Sequence, residues 1–572
     1  MRVYLAWALL GVCMVTAALI FSAPVPGALM RIACKGGDPI TAQQQIAACS
    51  SLLADKELPA RDASRVYAQR GLAYRRDGEI KAALEDLTQA IALAPRYQPA
   101  YLWRAELRDE SGHDDLALRD YDRAIALDPD DDAAFDNRGR VNGKLGRYDR
   151  SIADYSRAIQ LMPRVALYYA NRGNAWYYKG NLDAAIADYS QAIAIAPGYT
   201  LAYLDRGYAF GQKNRQDRAI ADYLQAIDLA PGYEPSYNYL GIAHAKRAEF
   251  GPAFNAFSRA VALDPKDVNA LSNRGAVLAQ QGKYREAVAD YGRALALAPK
   301  FEAALRLRGD AYVNLGDYEK ALRDYNAALK LAPKDSAALN GRGVAELRMR
   351  KFDFAIADFS QSLTLSPKSA LVLVNRGETY FLLEKYAQAR SDFDAAIALD
   401  PLPQYFRERA DLRAAERDED GALGDYRHAI ALDPNDWVTY TNRAMLLFRQ
   451  GDDEPAVADL SKAIKLAPAA ARAGVLGRRA TVYFADGRYD DALADCNGAI
   501  ALQPALGSAY YLRGRIYVAK GEDRLALADY DAALKLMPRF AEGYKQRARI
   551  KRRLGDGAGA DADMAKSKAV SS

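Results

Sequence analysis

Histidine and cysteine are scarce in this chain, with three of the first and four of the second in 572 residues. His113, His244 and His428 are widely separated. No HExxH, no glycine loop of the phosphate-binding kind and no Cys/His cluster with zinc spacing occurs. Little material is left for a metal site, and no cofactor is expected. An excess of one charge is also lacking. The 78 basic residues face 73 acidic ones and leave a net +5, whereas a nucleic-acid binder concentrates a basic excess. No residue set reads as catalytic and no stretch is left over for a separate catalytic domain, so the chain is read as a non-enzyme without a small-molecule substrate.

What is present is a period. Pro95, Pro129, Pro163, Pro197, Pro231, Pro265, Pro299, Pro333, Pro367 and Pro401 are each 34 residues apart. Pro434, Pro468, Pro504 and Pro538 continue the series at spacings of 33, 34, 36 and 34. Length alone would suggest three or four globular domains. A repeat of this size instead signals a solenoid, which grows by addition and is not limited by one core. The stretch from Tyr169 to Pro197 shows the unit: two short amphipathic helices, a tight turn at Lys179-Gly180-Asn181, and the proline that ends the second helix.

With the proline as position 32, fourteen units run from Ser64 to Phe540. Position 8 is Gly or Ala in all of them, as at Gly173 and Ala105, and position 20 is Ala except for Ser151. Glycine inside a helix costs about 1 kcal/mol relative to alanine, so a close backbone approach must offset it, with position 20 as the opposing small surface. Position 24 is usually Tyr or Phe and fills the space left. The pattern Tyr169-x2-Arg172-Gly173-x2-Trp176, then Ala185-x3-Tyr189, Ala192 and Pro197, resembles the tetratricopeptide repeat. The resemblance implies an all-α, right-handed solenoid of helix-turn-helix units.

Position 7 departs from the family, which usually has Leu there; here it is Arg in thirteen of fourteen units. Position 23 is Asp in thirteen of fourteen, and the one unit lacking the arginine (Leu240) is also the one lacking the aspartate (Ala256). That coincidence predicts an ion pair within each repeat, such as Arg172 with Asp188. The same unit carries Pro235 and Pro252, and reads either as a softer joint or as drift at a tolerant repeat.

Outside the array the reading divides the chain into residues 1–30, a signal anchor or signal peptide; 31–63, a linker and capping helix over Thr41–Ala54; and 541–572, a partial fifteenth repeat, cap and tail. Val3 to Phe21 holds no charged residue and nearly crosses a hydrocarbon core. Phe21 at −3 and Pro24 just past the cut disfavour cleavage after Ala23. The expectation is a membrane-anchored array on the periplasmic side, or secretion to the periplasm if the segment is cleaved. Cys34 and Cys49 are either a disulfide worth on the order of 3 kcal/mol or two unrelated thiols. Cys496 reads as a small core residue. Arg547, Asp563 and their charged neighbours in the last unit read as a solvated outer face.

The resemblance also places a partner groove along first-helix positions 2, 5, 6, 9, 12 and 13. Repeats four to six are distinctive there: Asn171, Asn174, Tyr177, Tyr178, Asp205, Tyr208, Asn238 and Tyr239. Amides can bond an extended peptide and tyrosines offer large contact area with a polar tip; the alternative is general packing. The function implied is a non-catalytic scaffold binding proteins or peptides at the cell envelope. An accessory subunit of a carbohydrate- or envelope-modifying complex, or a passive spacer, are the other readings.

Overall fold

The computed structural model describes residues 27–36 and 40–571. The apolar run Val3–Phe21, with the anchor expected from it, lies outside them. Among the described residues no helix is long and apolar enough to cross a membrane. Every regular element there is a helix, and consecutive helices within each unit pair as antiparallel hairpins. Two compact units meet in sequence at Lys283/Tyr284. The first holds Gly27–Lys35 and Ala42–Leu53, six hairpins from Ala60–Asp77 with Ile80–Leu93 to Glu234–Lys246 with Phe250–Leu263, and the helix Val268–Gln280. The second holds Tyr284–Leu297, seven hairpins from Glu302–Leu315 with Tyr318–Leu331 to Gly507–Ala519 with Asp523–Leu536, and the pair Ala541–Arg553 and Gly557–Ser571.

Before the array the expected capping helix is present, with Thr41 as N-cap in a capping box with Gln44. A further helix, Gly27–Lys35, occupies part of the stretch read as linker, and Cys34 is disulfide-bonded to Cys49 across the two. The first repeat helix starts at Ala60, ahead of the Ser64 read from the period.

Each hairpin turns through one left-handed residue at position 15. It is glycine in most repeats, with φ 85° at Gly78 and 89° at Gly180, but Asn214, Ala248, Arg350, Glu384 and Arg417 hold φ of 57–66° at the same place. Nothing lies within 4 Å of a Cβ built on Gly78 or Gly180, so backbone conformation rather than space selects glycine. At position 8 the reason is space. A Cβ on Gly173 would meet the Tyr189 ring at 2.7 Å, and one on Gly241 the Phe257 ring at 2.6 Å. At these two the close neighbour is the aromatic ring of position 24, whereas at Gly71 it is Leu87 at 3.0 Å and the carbonyl of the position-20 Ala83 at 3.2 Å.

The arginine of position 7 does more than the sequence predicts. In repeat four Arg172 donates from Nε and Nη2 to both oxygens of Asp188, each at 2.8 Å, joining first helix to second. Its Nη1 donates to Ser156 Oγ in the preceding repeat at 3.1 Å. Arg206 does the same with Asp222 and Ser190, Arg376 with Asp392 and Ser360, and Arg513 with Asp529 and Asn497. The Arg172 guanidinium also lies 5.7 Å from the Tyr169 ring centroid, three residues back. Arg308 and Arg443 keep the aspartate. The preceding repeat offers them Gly292 and Arg427 at position 25, neither with an accepting side chain.

Repeat six replaces the pair with apolar contact: Leu240 and Ala256 are buried in one cluster with Tyr223. Its prolines fall in the first turns of Glu234–Lys246 and Phe250–Leu263, where the missing N–H has no intrahelical partner to lose. Both helices match the lengths of their neighbours. At the far end the expectation of a solvated face fails for three residues. Arg547 and Lys551 both hold Asp563, at 2.6 and 3.0 Å, with 4 % of the Asp563 side chain exposed. The clamp continues into the incomplete repeat.

Removing one member of such a buried pair costs about 3–5 kcal/mol, whereas an apolar replacement of both can be near neutral. Asp188→Ala should therefore lower the urea midpoint, and hydrogen-exchange protection of repeat four, more than Arg172→Leu/Asp188→Ala does. A double variant at least as unstable as the single contradicts the pairing. Ala248→Gly should raise stability by about 1 kcal/mol, the cost of a left-handed non-glycine residue, read from the midpoint of thermal unfolding.

Candidate partner-binding groove

In repeats three to six the first helices lie side by side, which brings residues of equal position onto one face. Position 13 supplies Tyr178, position 12 Tyr177, position 9 Tyr208 and position 6 Tyr239. Their rings form a chain of contacts. Tyr177 meets Tyr178 edge-on at 5.4 Å, Tyr177 meets Tyr208 at 5.5 Å, and Tyr208 meets Tyr239 at 5.5 Å. Two tyrosines missed by the first-helix pattern extend it: Tyr148 stacks on Tyr178 at 5.9 Å and Tyr223 on Tyr239 at 5.8 Å. Tyr148 opens a second helix and Tyr223 is a position-24 core ring, so no spacing in the sequence sets either apart.

The chain is open to solvent along part of its length. Tyr178 is 66 % exposed and Tyr208 39 %, while Tyr177 and Tyr239 are half-buried. Burial and a hydrogen bond with Tyr208 push the Tyr177 phenol up to about 12. Tyr177 is thus a neutral donor and acceptor at physiological pH.

The amides on the same face are already engaged. Asn171 donates to Asp136 at 2.9 Å, one repeat back. Asn174 accepts from the buried Tyr189 hydroxyl at 2.7 Å. Asn238 accepts from Asn273 at 3.0 Å. Asn375 with Asn340 repeats the last arrangement at 2.9 Å, a rung between neighbouring first helices. Each of these three amides has one end held within the array.

Asp205 behaves differently. Its carboxylate lies close enough to raise the hydroxyl pKa of Tyr189, Tyr199, Tyr223 and Tyr239. Burial alone pushes its own pKa up to about 6. A second raised carboxyl, Glu346, occupies position 11, where Arg108, Asn142 and Arg413 donate to the clamp aspartate of other repeats. Glu346 brings a carboxylate instead, with one buried oxygen unpartnered. Burial and Asp358 raise it to about 7.

The histidines are dispersed: His244 Nδ1 is 2.6 Å from Glu249, and His428 is bonded to Gly424 and stacked on Phe406. Cys496 is fully buried and its thiol is pushed up to about 12.

Family models described as Tetratricopeptide repeat match residues 69–132, 133–164, 201–233, 268–301, 306–370, 370–402, 439–469 and 478–543. One described as TPR repeat matches 173–214. The chain is a tetratricopeptide repeat protein. Such proteins generally mediate protein–protein interactions. Among solved structures, a tetratricopeptide repeat protein from Parabacteroides merdae is 21 % identical, over 43 % of this chain and 98 % of that one, with a TM-score of 0.38. The APC/C hetero-tetramer Cut9–Hcn1 gives 15 % identity, 88 % and 98 % coverage and 0.43. Yeast Tom70 gives 16 %, 74 % and 96 %, and 0.37. No curated protein matches the sequence at a significant level.

Asp205 and Glu346 hold their protons more tightly folded than at the unfolded values of about 4. The folded tetratricopeptide array therefore binds more protons between pH 4 and their raised values, and stability falls as pH rises through that window. Asp205→Asn and Glu346→Gln should each raise the urea midpoint relative to wild type at pH 8 and leave it unchanged near pH 4. Equal gains at both values contradict the assignment.

Proposed function

We propose that the protein is a non-catalytic scaffold at the cell envelope that receives partner polypeptides along the tyrosine chain of repeats four to six. The observation that carries the groove is that continuous, partly exposed chain. The hairpin frame does not require it, since position 12 is satisfied by Gly211, Ala245 and Ala279 in the following repeats. Large amphipathic rings give much contact area for little lost side-chain freedom, which favours them at protein contacts.

The envelope setting rests on two features of the N-terminal region. The run Val3–Phe21 suits an export signal or anchor. The Cys34–Cys49 bond is of a kind that persists in oxidising compartments.

Photo-crosslinking from positions 178 and 208 in cells should capture partner protein, and Tyr177→Ala/Tyr178→Ala/Tyr208→Ala/Tyr239→Ala should reduce that capture at least about tenfold. A passive spacer is indifferent to the four substitutions. For the setting, a maleimide-polyethylene glycol added at lysis without reductant should leave Cys34 and Cys49 unlabelled. Labelling of both removes the oxidising compartment.

A further inference from the structure

The carboxylates on the first-helix faces of this protein are almost all engaged. Asp136 holds the Asn171 amide at 2.9 Å, Asp310 the Tyr325 hydroxyl at 2.6 Å, and Asp411 the Asn442 amide at 3.1 Å. Asp205 has no hydrogen bond or ion pair among the described residues, a condition it shares with Glu346, and no basic group is near enough to offset its burial. It sits within electrostatic reach of Tyr223 and Tyr239, whose stacked rings end the exposed chain. A half-buried carboxylate without a cation is a standing cost, because desolvation disfavours the charge and nothing nearby restores it.

We infer that Asp205 and the adjoining tyrosine rings form a subsite for the lysine or arginine side chain of a bound polypeptide segment. This rests on the proposed partner groove and specifies its chemistry. The carboxylate supplies a charge-assisted hydrogen bond to an ammonium or guanidinium group. The faces of Tyr208 and Tyr239 supply the electron-rich walls that attract a cation and its aliphatic stem. With a pKa of about 6 the carboxyl is mostly ionised at neutral pH. A polypeptide is the occupant, rather than a free polyamine, because the ring chain runs on through Tyr177 and Tyr178 to Tyr148. A segment anchored by its cation at Asp205 covers those rings with the residues on one side of it. A small cation leaves them bare.

The full chain in detergent micelles, immobilised through its C-terminus, is offered four nonapeptide libraries with degenerate flanks and a central Lys, Arg, Gln or Leu. Retained peptide is counted by mass spectrometry. The Lys and Arg libraries should be retained about tenfold more than Gln and Leu, in line with the strength of a hydrogen bond to a charged group. Asp205→Asn, nearly isosteric, should abolish that preference, and Asp205→Glu should restore part of it. Equal retention of the four libraries overturns the inference, as does a preference that survives Asp205→Asn. Strong retention of Gln and Leu peptides that Tyr177→Ala/Tyr208→Ala removes keeps the scaffold reading and rejects the cation subsite. Retention of no library overturns both. Spermidine that binds at Asp205 while the libraries show no preference assigns the subsite to a small cation and overturns it.

Discussion

A guanidinium at position 7 braces the repeats that keep the pattern, as Arg172 does in repeat four. From position 7 it meets its own aspartate through two parallel hydrogen bonds, so the hairpin closes at a fixed angle. Its remaining Nη1 reaches the second helix of the previous repeat, as from Arg172 to Ser156, and its face covers an aromatic ring on its own helix. Only a planar, multi-donor cation fits these three directions at once, and a lysine would satisfy at most one of them. The close approach of position 8 to the position-24 ring does not need the clamp: repeat six has Leu240 and Ala256 in its place, and a Cβ on Gly241 would still meet the Phe257 ring at 2.6 Å.

Much of this could be read from the sequence because repetition turns one chain into fourteen experiments. The pairing of Arg172 with Asp188 was legible because Leu240 and Ala256 change together, and the structure packs those two residues into one apolar cluster. The second reach of the arginine was not legible. Position 25 is Ser, Thr, Asp or Asn in eleven of the fourteen repeats and Leu224, Gly292 or Arg427 in the others, so no single residue type marks it. The solvated reading of Arg547 and Asp563 failed for a related reason: a proline-based count stops at Pro538, while the clamp does not.

The groove divides along the same line. The tyrosines found by position form a run of ring contacts, because first helices of neighbouring repeats lie together. Asn171, Asn174 and Asn238 share their face yet serve the frame, a distinction set by partners 15 or 35 residues away that composition does not reveal. Asp205 carries no such partner. The same type of side chain is thus structural in one repeat and available in the next.

The reach of Nη1 runs one way. Where position 25 carries an acceptor, the arginine donates to the unit before it, as from Arg172 to Ser156 and from Arg513 to Asn497, so these contacts share one direction along the chain. At its start Arg70 would face an empty place, and Ser50 of the capping helix fills it at 3.0 Å. Domains emerging from the ribosome fold from the N-terminal side first. In repeat four the Nη1 acceptor Ser156 precedes its arginine and is already synthesised when Arg172 emerges, whereas the clamp partner Asp188 follows 16 residues later.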